Sequence, residues 1–167
     1  MASDSTTPND PEQPFVPDDF DVPRTLMTDR FRLEPLGPEH NQADLVAWSG
    51  SIEHIRATPG FAGRDWPTEG MTADQNLVDL RQHADDFEQR VGFTYTVLQP
   101  DAGDTDDGDV LGCVYVYPAD AADADHDAAV RSWVRVERAE LDLPLYEAVL
   151  SWLAEEWPFR APRYAKR

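Results

Sequence analysis

Residues 109–159 hold two β-rich segments followed directly by one amphipathic helix, and the rest of the chain has to pack around that order. Val110-Leu-Gly-Cys-Val-Tyr-Val-Tyr117 carries no charge and is rich in β-branched and aromatic residues. Such a run reads as a strand buried on at least one face, and Pro118 ends it. After an acidic loop from Ala119 to Asp127, the stretch from Ala129 to Val136 alternates. Val130, Ser132, Val134 and Val136 point one way and Arg131, Trp133 and Arg135 the other, which predicts a second strand with a polar or partly exposed face. From Pro144 to Glu156, Leu145, Val149, Trp152 and Leu153 share one helical stripe while Glu147, Ser151 and Glu155 face away. Pro144 suits the first turn, Asp142 is a candidate cap, and Pro158 stops the helix.

The preceding residues supply the remaining layers. Thr25 to Leu36 reads as a first strand, with Phe31 and Leu33 on a face opposite Arg30, Arg32 and Glu34. Gly37-Pro38 opens a helix that continues past Trp48, with Leu45 and Trp48 inward, and Ser51 to Thr58 extends it or forms a second short helix. Pro59 to Gly70 is a loop that carries Phe61 and Trp66. Thr72-Ala-Asp-Gln75 is a capping-box pattern, and Leu77, Leu80, Ala84 and Phe87 recur at helical spacing up to about Arg90. Gly92 to Leu98 alternates as a strand, joined to the next by an acidic turn from Gln99 to Asp109. Asp101, Asp104, Asp106, Asp107 and Asp109 lack the ordered ligands and closing Glu of a calcium loop, so the turn reads as a solvated hairpin tip and no metal is expected. Residues 1–23 are rich in Pro, Asp, Ser and Thr and read as a disordered or loosely docked arm, tethered by Phe15 and Phe20. Residues 24–167 then form a single domain.

The wording of the central stretch narrows the reading. The run from Val110 to Tyr117, then Val130-Arg-Ser-Trp-Val134, then an Arg138-led turn into a helix, resembles the acyl-CoA-binding core of the GNAT superfamily of N-acetyltransferases. Thr28-Asp-Arg-Phe-Arg-Leu-Glu-Pro-Leu36 resembles the opening strand of its branch acting on ribosomal-protein or amino-acid amines, and the likeness runs over roughly residues 25–160. The resemblance implies an α/β (α+β) fold, a mixed, mostly antiparallel sheet flanked by helices, of the acyl-CoA N-acyltransferase kind. It also implies acetyl-CoA as cofactor and a small-molecule or peptide amine as acceptor. Carried over by position, Cys113, Val114, Tyr115 and Val116 would meet the pantetheine arm, with Val134 and Val136 across from them and Arg138 as the phosphate-side cation. Tyr115, Tyr117, His126 and Glu137 are acid or base candidates by position alone, and His54, Phe61 and Trp66 border the acceptor groove.

Two departures bear on activity. The family's glycine-rich turn lets bare backbone N–H groups approach phosphate at a helix N-terminus, whereas this chain has Arg138-Ala-Glu-Leu-Asp-Leu-Pro144, with two carboxylates and no glycine. Beyond Trp157-Pro-Phe159 there is room for one short strand where the family has a strand, a helix and a last strand. The sheet then ends in an edge that needs cover, from the N-terminal arm or from a second copy in a homodimer. Two readings stand: an acyl-CoA-dependent N-acetyltransferase, or a catalytically inactive module that binds a small ligand or a partner in the same groove.

Charge and cysteine usage bound the surroundings. A formal charge of -19 and an isoelectric point near 4.3 weigh against nucleic-acid backbones, which need clustered Lys and Arg. No run of about 18 apolar residues or basic leader is present, so no membrane is expected and the default address is the cytoplasm. The lone Cys113 has no internal partner and reads as a small buried thiol. The excess of acid over a single lysine reads as the solvated surface of a bacterial protein.

Overall fold

A computed structural model describes residues 14–102 and 110–167. The tip of the acidic hairpin at Asp104 to Asp109 and the arm's first residues, 1–13, lie outside the described residues. Six strands form one sheet in sequence order: β1 Leu26–Met27, β2 Arg32–Pro35, β3 Phe93–Leu98, β4 Val110–Tyr117, β5 Ala128–Val134 and β6 Pro162–Tyr164. All neighbours run antiparallel except β5 and β6, which are parallel. A 3-10 turn at Pro38–His40 leads into α1 Asn41–Ser49, followed by α2 Ile52–Ala57 and α3 Ala73–Glu88. A second 3-10 segment, Val136–Leu141, leads into α4 Asp142–Glu156, the crossover that a parallel strand pair requires.

The expected first strand is split in two. Thr28 Oγ1 accepts from the amides of Arg30 and Phe31, at 3.2 and 3.1 Å, and this local turn reverses the chain so that β1 and β2 pair. The capping box of α3 is reciprocal, with Gln75 N donating to Thr72 Oγ1 at 3.2 Å and Thr72 N donating to Gln75 Oε1 at 2.9 Å. Asp142 is the first residue of α4 rather than its cap, and its carboxylate accepts from Arg167 instead.

Two cores lie on the two faces of the sheet. Leu111, Val114, Val116, Val130 and Val134 pack with Leu145, Val149, Trp152 and Leu153 of α4. On the other face Val110, Cys113 and Trp133 pack with Ala43, Ala47 and Trp48 of α1 and Leu80 of α3. The face of β5 predicted to be polar thus carries a fully buried Trp133, because α1 and α3 cover it. Residues 110 and 113 share a face, as do 111 and 114, because the register shifts by one residue opposite Val97/Leu98. Gly112 sits at this irregularity, and β5 approaches so closely that an added Cβ would lie 2.0 Å from the Trp133 carbonyl oxygen.

Residues 14–23 pack on the α4 face. Val16 is buried, Phe15 stacks on Phe93 with centroids 5.9 Å apart, and Phe20 lies 5.6 Å from Trp157. Tyr95 Oη donates to the Pro23 carbonyl at 2.6 Å. A fully buried valine of this kind contributes roughly 1.5–3 kcal/mol, which fixes this segment to the domain. Among the described residues no helix is long and apolar enough to cross a membrane.

Gly112→Ala forces the β4 and β5 backbones apart. Overpacking of about 1–3 kcal/mol lowers the thermal midpoint by roughly 2–12 °C in a domain of this size; an unchanged midpoint in a melting experiment would contradict the close approach.

Candidate functional site

A cavity of about 380 Å³ opens between the sheet and the layer of α1 and α3. Its floor is set by α1. Ala43, Asp44, Ala47 and Trp48 are the buried residues of that helix, so Asp44 lies one turn before Trp48 on the inward stripe. Only 4 % of Asp44 is exposed. Asn76 of α3 donates from Nδ2 to Asp44 Oδ2 at 3.1 Å, and its Oδ1 accepts from Trp48 Nε1 at 3.2 Å. Burial pushes the Asp44 carboxyl up to about 6, against the opposing effects of the Asn76 hydrogen bond and of His40.

Aromatic rings form the walls. Trp66 and Phe61, from the loop between α2 and α3, have centroids 6.1 Å apart, and Trp66 meets Tyr115 of β4 edge-on at 6.3 Å. Tyr115 Oη accepts from Trp133 Nε1 at 3.0 Å, and burial raises the Tyr115 phenol well above its ordinary value. Along a second wall Tyr117 Oη donates to Asp86 Oδ2 at 2.9 Å and touches His83 Nδ1 at 3.0 Å. Thr94 Oγ1 meets the same His83 Nδ1 at 3.0 Å, so the two hydroxyls together hold this ring nitrogen. Burial lowers the His83 value, which keeps the imidazole neutral near pH 7.

Arginines stand at the mouth. Arg131 of β5 donates through Nε to the Gly60 carbonyl at 3.1 Å, which anchors the loop to the sheet. Its guanidinium lies near that of Arg64, and burial first, then Arg64 and Arg163, lower its pKa. Arg56 holds the same loop from the other side, with Nη2 2.6 Å from the Pro67 carbonyl.

β5 and β6 pair only at Ala128 to Val130, so among the described residues the outer edge of β5 from Arg131 to Val134 carries no strand and leaves a gap. Arg167 fills that gap: its Nη2 donates to the Ser132 carbonyl at 2.8 Å and its Nε to Asp142 Oδ2 at 2.7 Å, and only 5 % of its side chain is exposed. Tyr164 Oη also closes on Ser132 Oγ. The following turn does not fit a diphosphate held in the manner of a glycine-rich loop. No glycine occurs in it, Arg135 and Arg138 are paired with Glu137 and Glu140, and the Asp142 carboxylate stands at the start of α4.

The expected site residues separate accordingly. Phe61, Trp66, Tyr115 and Tyr117 line the cavity together. Cys113, Val114 and Val116 lie in β4, whose two edges are both paired, so the strand expected to meet a pantetheine arm offers no free edge. That edge belongs to β5, one strand further on, and Val134 lies there. Val136 is exposed and donates its amide to Ser51 Oγ, while Glu137 and Arg138 are on the turn, away from the cavity. His126 pairs with Asp123 in the loop before β5, and His54 on α2 does not line the cavity. Sequence reasoning missed Asp44, Asn76, His83, Arg64 and Arg131. The available signal was a polar residue inside an apolar helical stripe: Asp44 four before Trp48, and Asn76 and His83 in register with Leu80 and Phe87. Among the described residues no group of His, Cys, Asp and Glu could hold a metal ion.

No protein-family model matches the chain, and no curated protein matches it. Solved structures do. The ribosomal-protein-S5-alanine acetyltransferase from Vibrio fischeri superposes with a TM-score of 0.54 over 80 % of this chain and 67 % of its own, at 11 % identity. The microcin C7 self-immunity acetyltransferase MccE, solved with acetyl-CoA and AMP, gives 0.53 over 78 % and 67 %, at 12 % identity. A GCN5-related N-acetyltransferase from Brucella melitensis gives 0.51 over 86 % and 59 %, at 17 % identity. At these identities the likeness is one of fold: the chain has the mixed sheet and flanking helices of the GNAT acyl-CoA N-acyltransferase fold.

Asp44 titrates against the folded state. Its value rises from 3.8 to about 6 on folding, so the neutral acid's advantage is complete below pH 4 and is lost as pH rises through 6. Asp44→Asn, which cannot ionise, is therefore expected to be more stable than wild type at pH 8, by on the order of 3 kcal/mol, and to show no such gain at pH 4. Melting curves at both pH values check this, and an equal difference at both would remove Asp44 as a strained buried carboxylate.

Proposed function

We propose that the protein is an N-acetyltransferase whose acceptor is a small-molecule amine seated in the cavity beneath Phe61 and Trp66. The observation that carries this reading is Asp44, a carboxylate held near pH 6 at the floor of an aromatic-walled cavity. A base poised just below neutrality is suited to take a proton from an ammonium nitrogen, because it is ionised at working pH yet basic enough to share the proton. The Trp66 and Tyr115 rings attract the cation before the proton leaves. Their bulk also keeps bulk water from the floor, which strengthens the attraction between Asp44 and the amine.

Acetyl-CoA would supply the acetyl group as a thioester. Its arm would lie along the edge of β5 from Ser132 to Val134, while Arg138, paired with Glu140, is not free at the turn to meet its phosphates. Arg167 and Tyr164 would have to leave the gap. That filled gap favours a second reading, a binding module that keeps the cavity and transfers nothing.

Release of free CoA from acetyl-CoA, followed over a panel of small amines, separates the two. Under the first reading at least one amine turns over, Asp44→Asn lowers kcat by about 10²–10⁴-fold, and Arg167→Ala lowers KM for acetyl-CoA. An Asp44→Asn enzyme with unchanged kcat would remove Asp44 as the base, and no turnover with any amine would leave the binding module.

A further inference from the structure

The cavity is electrically polar. The end formed by the helical layer carries two carboxylates, the buried Asp44 on α1 and the exposed Asp79 on α3, and Asp79 is close enough to raise the Asp44 value. The end formed by the sheet and the covering loop carries two guanidiniums, Arg131 on β5 and Arg64 on the loop. Neither cation has a carboxylate partner among the described residues. Arg131 spends Nε on the Gly60 carbonyl, and the Arg64 guanidinium has no hydrogen-bond or ion-pair partner among the described residues. In a chain of net charge -19 the default is an arginine facing one of many carboxylates, so two arginines that line one cavity and lie close enough for one to disfavour the other's charge mark a place where an anion belongs. The opposite end has the complementary fault: Asp44 is buried with one amide donor, beside the carboxylate of Asp79, and the nearby imidazole of His40 offsets only part of the cost of its burial.

Between these ends stand Phe61, Trp66 and Tyr115, which offer ring faces and no formal charge. We propose that the cavity takes a small zwitterion of the amino-acid kind, with its ammonium at Asp44, its carboxylate at Arg131 and Arg64, and an apolar or aromatic body between the rings. A ligand with one charge leaves one end of the cavity unbalanced, and a ligand with both neutralises each end at once. A cavity of about 380 Å³ is at the small end of ligand pockets, which suits a single amino acid better than a nucleotide or a folded peptide terminus.

The inference rests on the reading of this cavity as the acceptor site, and its test needs no cofactor. Calorimetric titration of the full chain would compare phenylalanine, phenethylamine and N-acetylphenylalanine, followed by the other common amino acids. A zwitterion is expected to bind at least tenfold more tightly than the matching amine or N-acetylated acid. Arg64→Gln, an exposed residue whose loss leaves the fold intact, is expected to weaken the zwitterion severalfold and to leave the amine unchanged. Arg131→Gln is expected to do the same more strongly, and Asp44→Asn to weaken both zwitterion and amine while sparing the acid. Equal affinity for zwitterion and amine, equal losses on both in the arginine variants, or no binding by any common amino acid at millimolar concentration would each overturn the proposal. Tight zwitterion binding without acetyl transfer would keep this site and remove the acetyltransferase reading. Acetyl transfer to amines regardless of a carboxylate would do the reverse.

Discussion

The unequal edges of β5 control the architecture. One edge is paired with β4 from Ala129 to Val134, closely enough to require glycine at position 112. The other is paired with β6 over three residues and then left to side chains. A fully paired parallel strand would have sealed the sheet between α4 and the loop around Pro59. The short one leaves a gap in which Arg167 ties β5, α4 and that loop together, reaching Ser132, Asp142 and the Pro59 carbonyl. The cavity on the opposite face depends on the same strand, because Arg131 leaves β5 next to Ser132 and holds the loop at Gly60.

The second dependence is electrostatic. An ionised carboxylate as enclosed as Asp44 weakens the folded state, and a sequence selected for stability alone would place an apolar residue there. The compensation present is small: one amide hydrogen bond from Asn76, itself held by Trp48 and Asn41, and the nearby imidazole of His40. Costs of this kind collect at sites where a ligand later supplies the missing charge. The aromatic walls, the neutral His83 and the two mouth arginines line the same cavity as this carboxylate, so the strain and the binding chemistry share one site.

Much of the fold was legible in the sequence because it follows from periodicity. The uncharged run from Val110, the stripe Leu145, Val149, Trp152, Leu153 and the Thr72/Gln75 capping box each appear where patterning places them. The likeness to the N-acetyltransferase core is carried by those same elements. What did not show was the layering. Trp133 was read as lying on a polar face because its neighbours Arg131 and Arg135 are charged, and nothing local says that α1 and α3 cover them. For the same reason Phe61 and Trp66 were found, since aromatics in a Gly/Pro loop need a surface to rest on, while Asp44 and His83 were lost inside helices read only for packing. The resemblance puts the pantetheine contacts on Cys113–Val116, in a strand whose two edges are both paired, because a sequence gives strand order without telling which edge stays unpaired.

The claim on which the account turns is that Asp44 is a buried carboxylate waiting for a cation. Its side-chain carbon can be followed by NMR across pH 3 to 9, in the free protein and with a bound amine. The account predicts a midpoint near 6 in the free protein, falling when the ammonium group binds beside it. A midpoint in the ordinary carboxylate range that is unmoved by amines would contradict it.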